Sequence, residues 1–361
     1  MTLRRFLLWV HLVVGLVAAV ELLLLGVTGA VLVFESEIER SLNPKLWHVQ
    51  PEGVRLGIGE FVSRVEKQTQ GARITALRFS DDPCVASSAS LQGAGGRSWS
   101  VTVNPYNGAV LGSLAGTNTI MPKVHQFHTN LLLGKNGKLI TGTAAIMLVI
   151  LALTGLVLWW PRKIWKLDDL KSGKRVNFDL HNALGFWSSV FMLIFGVTGI
   201  VIHWDDEASQ LVGRLTGMPP RLAIPTMPSV NPDAHPVSAA LMYEAATKAV
   251  PGAAVNSIQG LNSNKAPVRV TMRFPEDRTP AGRTNVYIHP VTAEVLMAQD
   301  SRTAPPAYRW VKLWNRQFHT GDEFGMPCRI LTCLASLSLP LLAVTGPLIW
   351  WGRIRRRRGA V

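Results

Sequence analysis

Four of the nine histidines in this 361-residue chain stand in a pattern that points to chemistry. His11 opens the stretch His11-Leu-Val-Val-Gly15 and His181 opens His181-Asn-Ala-Leu-Gly185, while His128 lies in Gln126-Phe-His-Thr129 and His319 in Gln317-Phe-His-Thr320. The first two fall near the start of hydrophobic runs, and the other two shortly before such runs. An ionisable side chain in or beside a membrane-length apolar run is costly, so each is a functional candidate. Imidazole is a ready metal ligand, and two imidazoles approaching from opposite sides can hold the iron of a flat macrocycle. Small residues would give that macrocycle room. At about 100° per residue, Gly15, Ala18, Gly26 and Gly29 share the helix face of His11, and Gly185, Ser188, Gly196 and Gly199 share that of His181. Close helix packing also uses small residues, but packing does not require a histidine at the head of each stripe. The pattern points to two bis-histidine haem b sites, one from His11 and His181 and one from His128 and His319.

Cys84, Cys328 and Cys333 form neither a disulfide framework nor a CxxCH attachment site, so such haems would be non-covalent. His125 rivals His128 as a ligand, but its counterpart by the alignment below is Arg316, which favours His128. His203 aligns with Val33 and reads as interfacial, and His48, His235 and His289 read as surface residues. Arg5 and Arg175 each precede a ligand candidate by six residues. They are candidate partners for haem propionates, although a topological role explains them equally. Glu21 sits mid-span without an acidic counterpart, and both a proton relay and a polar helix contact stay open for it.

These residues need helices to place them. Apolar runs at residues 6–34, 139–160, 180–204 and 330–351 each reach the ~20 residues that cross a hydrocarbon core. The first is too long for a signal peptide and lacks a clear small-residue cleavage site, so it reads as a retained span. The composition, 48% hydrophobic and 17% charged, agrees. The net charge of +14 does not mark a nucleic-acid partner, because 13 of the 37 Lys and Arg residues cluster beside spans: Arg4 and Arg5, six between Arg162 and Arg175, and five between Arg353 and Arg358. Excess basic residues in short loops mark the cytoplasmic side. Both termini and the loop 161–176 are therefore expected inside, with residues 35–125 and 205–315 outside.

The chain repeats itself. Residues 11–29 match 181–199 at an offset of 170, including Gly26-Val-Thr-Gly29 with Gly196-Val-Thr-Gly199. At an offset of 191, Gln126-Phe-His-Thr129 matches Gln317-Phe-His-Thr320, Thr154-Gly155 matches Thr345-Gly346, and Trp159-Trp160 matches Trp350-Trp351. Each half is one span, one outer segment and one returning span, which implies a parallel repeat with matched residues facing each other across an axis along the membrane normal. Both outer segments show a helical period followed by alternating strands, at 58–65, 74–79, 99–104 and 109–114 in the first and 237–250, 268–274 and 284–289 in the second. They read as two small α+β domains. The fold class is a membrane α-helical protein of four transmembrane helices in a duplicated two-helix unit. Its expected parts are helix 1 (1–34), outer domain 1 (35–125), an outer His segment with helix 2 (126–160), a basic loop (161–176), helix 3 (177–204), outer domain 2 (205–315), a second His segment with helix 4 (316–351) and a basic tail (352–361).

The His-x3-Gly and Thr-Gly of the odd spans, the Phe-His-Thr, Thr-Gly and Trp-Trp of the even spans, and the paired outer modules resemble the PepSY-associated transmembrane helix family over nearly the whole chain. That resemblance implies a bacterial inner-membrane protein with periplasmic PepSY-like domains. It further implies two haems ligated by His11, His181, His128 and His319, with electrons passing outward. Members similar to ferric-siderophore reductases imply reduction of a ferric siderophore or other ferric chelate in iron uptake, with an unidentified cytoplasmic or quinol donor. A non-enzymatic PepSY-type binding or regulatory protein and a small transporter are the competing expectations.

Overall fold

The computed structural model describes residues 1–114, 120–160, 163–165, 167, 172–217, 224–227, 234–279 and 282–358. Much of the expected basic loop, including Arg162, Lys166 and Lys171, lies outside them. In chain order the first half contains α1 (Leu3–Leu32), α2 (Glu35–Leu42), α3 (Pro44–Trp47), α4 (Ile58–Gln68), β1 (Arg73–Arg78), β2 (Ser87–Gln92), β3 (Ser98–Val103), β4 (Val110–Ser113), α5 (Ile120–Asn130) and α6 (Gly134–Trp159). The second contains α7 (Gly173–His203), α8 (Asp205–Thr216), α9 (Ala239–Ala249), β5 (Ala254–Gln259), β6 (Val268–Arg273), β7 (Thr284–Ile288), β8 (Val295–Gln299), α10 (Pro306–Tyr308), α11 (Asn315–Thr320) and α12 (Met326–Arg358). These elements form two compact units.

The first unit comprises Met1–Glu35, Ile120–Leu215 and Trp310–Val361. Its helices α1, α6, α7 and α12 are long and apolar enough to cross a membrane, which makes the chain a multi-pass membrane protein. Their outer faces bear the residues such a setting requires, with Val17 70% and Val20 72% exposed. Helix α1 packs on α6 and α12, and α7 packs on the same two, so α1 and α7 stand diagonally opposed. An apolar layer midway along them contains Ala18, Leu22, Leu148, Met192, Phe195 and Leu339. Gly26 and Gly196 are contact points between helices. A Cβ on Gly26 would lie 2.7 Å from Leu339 and Pro340, and one on Gly196 would lie 2.6 Å from Val149. These two members of the small-residue stripes therefore serve packing rather than ligand clearance.

The histidines expected just before the even spans lie on separate short helices. Helix α5 is cut from α6 by Leu131 and Leu132, whose φ of 51° and 60° is the left-handed conformation that non-glycine residues rarely adopt. Helix α11 ends at Gly321, φ 80°, where glycine takes that conformation freely. Each reversal swings a histidine back toward the long helices instead of continuing one rod.

The second unit comprises Ser36–Thr119 and Thr216–Arg309. Here the expectation of two separate α+β domains needs correction. Among the described residues all strands join one antiparallel eight-stranded sheet of order β4-β3-β2-β1-β5-β6-β7-β8, because β1 pairs with β5 through Ala76, Leu77 and Arg78. The order is palindromic about that junction. Both halves contribute to one apolar core. Together Phe61 and Val65 of α4 and Met242 and Ala246 of α9 cover Ile74, Leu77, Ile258, Val268 and Val286 in one core. Strands β2, β5 and β8 were not anticipated.

Candidate functional site

The structure brings together the histidines that the repeat pairs. The rings of His11 (α1) and His181 (α7) have centroids 6.4 Å apart and stand at 88° to each other. Those of His128 (α5) and His319 (α11) are also 6.4 Å apart, at 61°. Imidazole nitrogens bind first-row metal ions at about 2 Å, and a ring centroid lies roughly 1.1 Å behind its nitrogen, so two imidazoles opposed on one metal have centroids about 6 Å apart. Both pairs fit that spacing.

Each histidine is held by a threonine of a neighbouring long helix. His11 Nδ1 meets Thr154 Oγ1 at 2.9 Å and His181 Nδ1 meets Thr345 Oγ1 at 2.8 Å. His128 Nδ1 meets Thr28 Oγ1 at 2.9 Å and His319 Nδ1 meets Thr198 Oγ1 at 2.8 Å. The hydroxyl proton of each threonine is already committed within its own helix. Thr154 donates to the Ile150 carbonyl at 2.6 Å, Thr345 to Leu341 at 2.7 Å and Thr28 to Leu24 at 2.8 Å, and Thr198 donates to Ile194. A hydroxyl has one proton to give, so in each pair Nδ1–H is the donor. That fixes the tautomer and leaves Nε2 as a free lone pair, the form in which a histidine binds a metal. His128 and His319 lie outside the four long helices, and loss of solvent lowers the pKa of each from the ordinary imidazole value, which holds them neutral.

At three of the four seats the glycine after the threonine makes the approach close. A Cβ on Gly155 or Gly346 would stand 3.3 Å from Cε1 of His11 or His181, and one on Gly29 would stand 3.2 Å from Cε1 of His128. The Thr-Gly dipeptides were visible in sequence as matched motifs, but their role as histidine seats was not. The signal was there in one respect: each dipeptide recurs at the same offset as a histidine.

A cavity of about 300 Å³ opens beside His11 and His181. Gly155 and Gly346 line it together with Gly15 and Gly185, so these last two members of the small-residue stripes do supply clearance. Leu22, Leu148, Met192 and Leu339 of the central apolar layer also line it. Arg4 and Arg353 line it too, and its described lining contains no acidic side chain. Arg5 is absent from the described lining, and Arg175 donates to Asp179, whose carboxylate is fully buried, at 2.8 Å.

The other candidates resolve as follows. His125 Nδ1 pairs with Glu35 Oε2 at 3.2 Å, one turn from His128 and apart from the facing rings. His203 packs against Gly142 and Trp204 at the end of α7. Glu21 Oε1 is buried and has no hydrogen-bond partner among the described residues. The cysteines are free.

Comparison with known proteins places these features in context. The family described as PepSY-associated TM region matches residues 8–353. An uncharacterized protein of Pseudomonas aeruginosa is 26% identical over 113 residues, which are 27% of this chain and 28% of that protein. The chain thus matches well under two thirds of that relative's length.

Proposed function

The chain belongs to the PepSY-associated transmembrane family, and on that premise and the geometry of its histidines we propose that it is a two-haem inner-membrane protein that carries electrons outward to a ferric chelate. The observation that carries the reading is the paired geometry: two sets of facing imidazoles at the spacing of opposed metal ligands, each ring fixed by a threonine in the metal-binding tautomer. Bound haem b would supply one-electron redox chemistry at each pair.

The protein's own residues supply the rest. Thr28, Thr154, Thr198 and Thr345 orient the four ligands and raise their basicity. The two levels are separated along α1 by the 17 residues from His11 to Thr28, roughly 25 Å at 1.5 Å per residue. That is most of a hydrocarbon core. The apolar layer of Leu22, Leu148, Met192 and Leu339 lies between the two levels, and the two histidine pairs are read as the stations between which charge would cross it. Arg4 and Arg353, which line the cavity, would neutralise carboxylates of a ring bound there.

The excess of basic residues at both termini and beside α7 supports reading that end of the bundle as cytoplasmic. The His11–His181 pair is then the entry station, supplied by a cytoplasmic or quinol donor, and the His128–His319 pair is the exit. One electron converts the ferric centre of a chelate to ferrous iron, which oxygen-donor chelators hold less tightly. The two halves are read as parallel copies about an axis along the membrane normal, and residues 36–119 and 216–309 as periplasmic.

The test is sided reoxidation. The protein is reconstituted in vesicles of known orientation, its haems are reduced, and an impermeant ferric chelate is added to one face. Reoxidation from the face nearest His128 and His319 is expected. Reoxidation confined to the opposite face, or by no ferric chelate, would overturn the assignment.

A further inference from the structure

The eight strands contain four arginines and no Asp, Glu or Lys. One side of the sheet is the apolar core beneath α4 and α9. Pairing register assigns the arginines to the other. Ile74 and Leu77 lie on the core side of β1, whereas Arg73 pairs with Gln92, and Arg78 pairs with Ser88 and Ser257. Arg269 of β6 pairs with Gln259, the partner of Ala76 on β1. Arg273 is neutralised by Asp81. Arg73, Arg78 and Arg269 are exposed and make no ion pair among the described residues, and Arg269 donates to the Gln259 side-chain oxygen.

These three cations surround the β1–β5 junction, where the intervening side chains are Ala76, Ser257 and Gln259. Arg78 and Arg269 are two strands and two residues apart, so their Cα atoms are roughly 12 Å from each other. The floor between them is small and polar. Guanidinium groups offer planar forks of donors to carboxylate or phenolate oxygens, and neighbouring hydroxyl and amide groups can bond further oxygens.

We propose that this face of the sheet, centred on Arg73, Arg78 and Arg269, is the docking surface for an anionic, oxygen-rich ferric chelate. The inference rests on the reduction proposed above and narrows its substrate class to chelates of net negative charge. Charge complementarity selects the occupant. A lipid surface calls for broad apolar surface among the cations; Tyr287 and Met297 continue the row beyond Arg269, but the floor between the cations is Ala76, Ser257 and Gln259. A nucleic acid calls for a longer basic track.

Gallium(III) has the charge and near the size of ferric iron but is not reduced, so binding can be measured apart from electron transfer. The purified full chain is titrated with a gallium tris-catecholate, which is anionic, and a gallium trihydroxamate, which is not. Preferential binding of the tris-catecholate by at least tenfold is expected, weakening with salt. Arg78→Gln with Arg269→Gln should lower its affinity at least tenfold while haem content and melting temperature hold. Equal binding of the two chelates, or unchanged binding by the double variant, would overturn the inference. So would stronger competition from anionic lipid vesicles or single-stranded RNA than from the tris-catecholate. Failure of the electron-transfer reading would show separately, as absent haem or absent reoxidation with gallium binding intact.

Discussion

His11 and Thr154 are 143 residues apart in sequence and meet at 2.9 Å, the imidazole Nδ1–H donating to a hydroxyl whose own proton goes to the Ile150 carbonyl. The same chain of two hydrogen bonds recurs at His181, His128 and His319. A side chain of threonine's shape without the hydroxyl would keep the packing and lose the tautomer control. Thr154→Val should therefore weaken haem binding at the His11–His181 pair roughly 10–100-fold and shift that haem's potential, leaving the other pair unchanged. Haem retention through gel filtration and a two-component redox titration read this out. Wild-type retention with an unmoved potential would remove the threonine from the account.

The two pairs share no side chain, and an apolar layer lies between their levels. His11→Ala and His319→Ala should each remove one haem, and the double variant both. Loss of both haems from a folded single variant would mean that the histidines are partnered differently.

Two classes of glycine should behave differently. Gly155→Val places bulk against His11 and should empty that site, whereas Gly26→Ala meets Leu339 and Pro340 at 2.7 Å and should act on packing. Overpacking of this kind costs about 1–3 kcal/mol, so Gly26→Ala should lower the melting temperature while the surviving folded protein keeps its haem ratio. A haem-deficient but thermally normal Gly26→Ala protein would contradict the assignment.

The cavity arginines separate from the helix-end arginine in a similar way. Arg4→Gln with Arg353→Gln should lower haem retention at the His11–His181 pair and make its potential more negative, because two positive charges are lost beside it. Arg175→Gln should instead leave the buried Asp179 carboxylate without its partner and reduce stability. Haem loss in the Arg175 variant with normal stability, and none in the other, would restore the sequence-based expectation for Arg175.

Much of this was legible from the chain because the repeat acts as an internal alignment. The repeat matches His128 with His319 and His125 with Arg316, and in the fold His125 meets Glu35 while His128 faces His319. The facing of His11 and His181 follows from the same repeat, and the four spans follow from the lengths of the apolar runs. The threonine seats were hidden because a contact between His11 and Thr154 depends on which helices become neighbours, and spacing within one helix carries no information about that. The separation of α5 from α6 was hidden for another reason: Leu131 and Leu132 adopt a backbone that leucine does not advertise. The joined sheet was missed since strand edges pair through backbone groups, which are the same whatever the side chains.

The most direct measurement is the haem content of the purified full chain, by pyridine haemochrome against quantitative amino-acid analysis, with a visible spectrum of the reduced protein. The account predicts two non-covalent haems b per chain and low-spin, bis-histidine absorption. A ratio near zero after expression with ample haem supply, or a single haem that survives His11→Ala and His181→Ala as well as His128→Ala and His319→Ala, would contradict it.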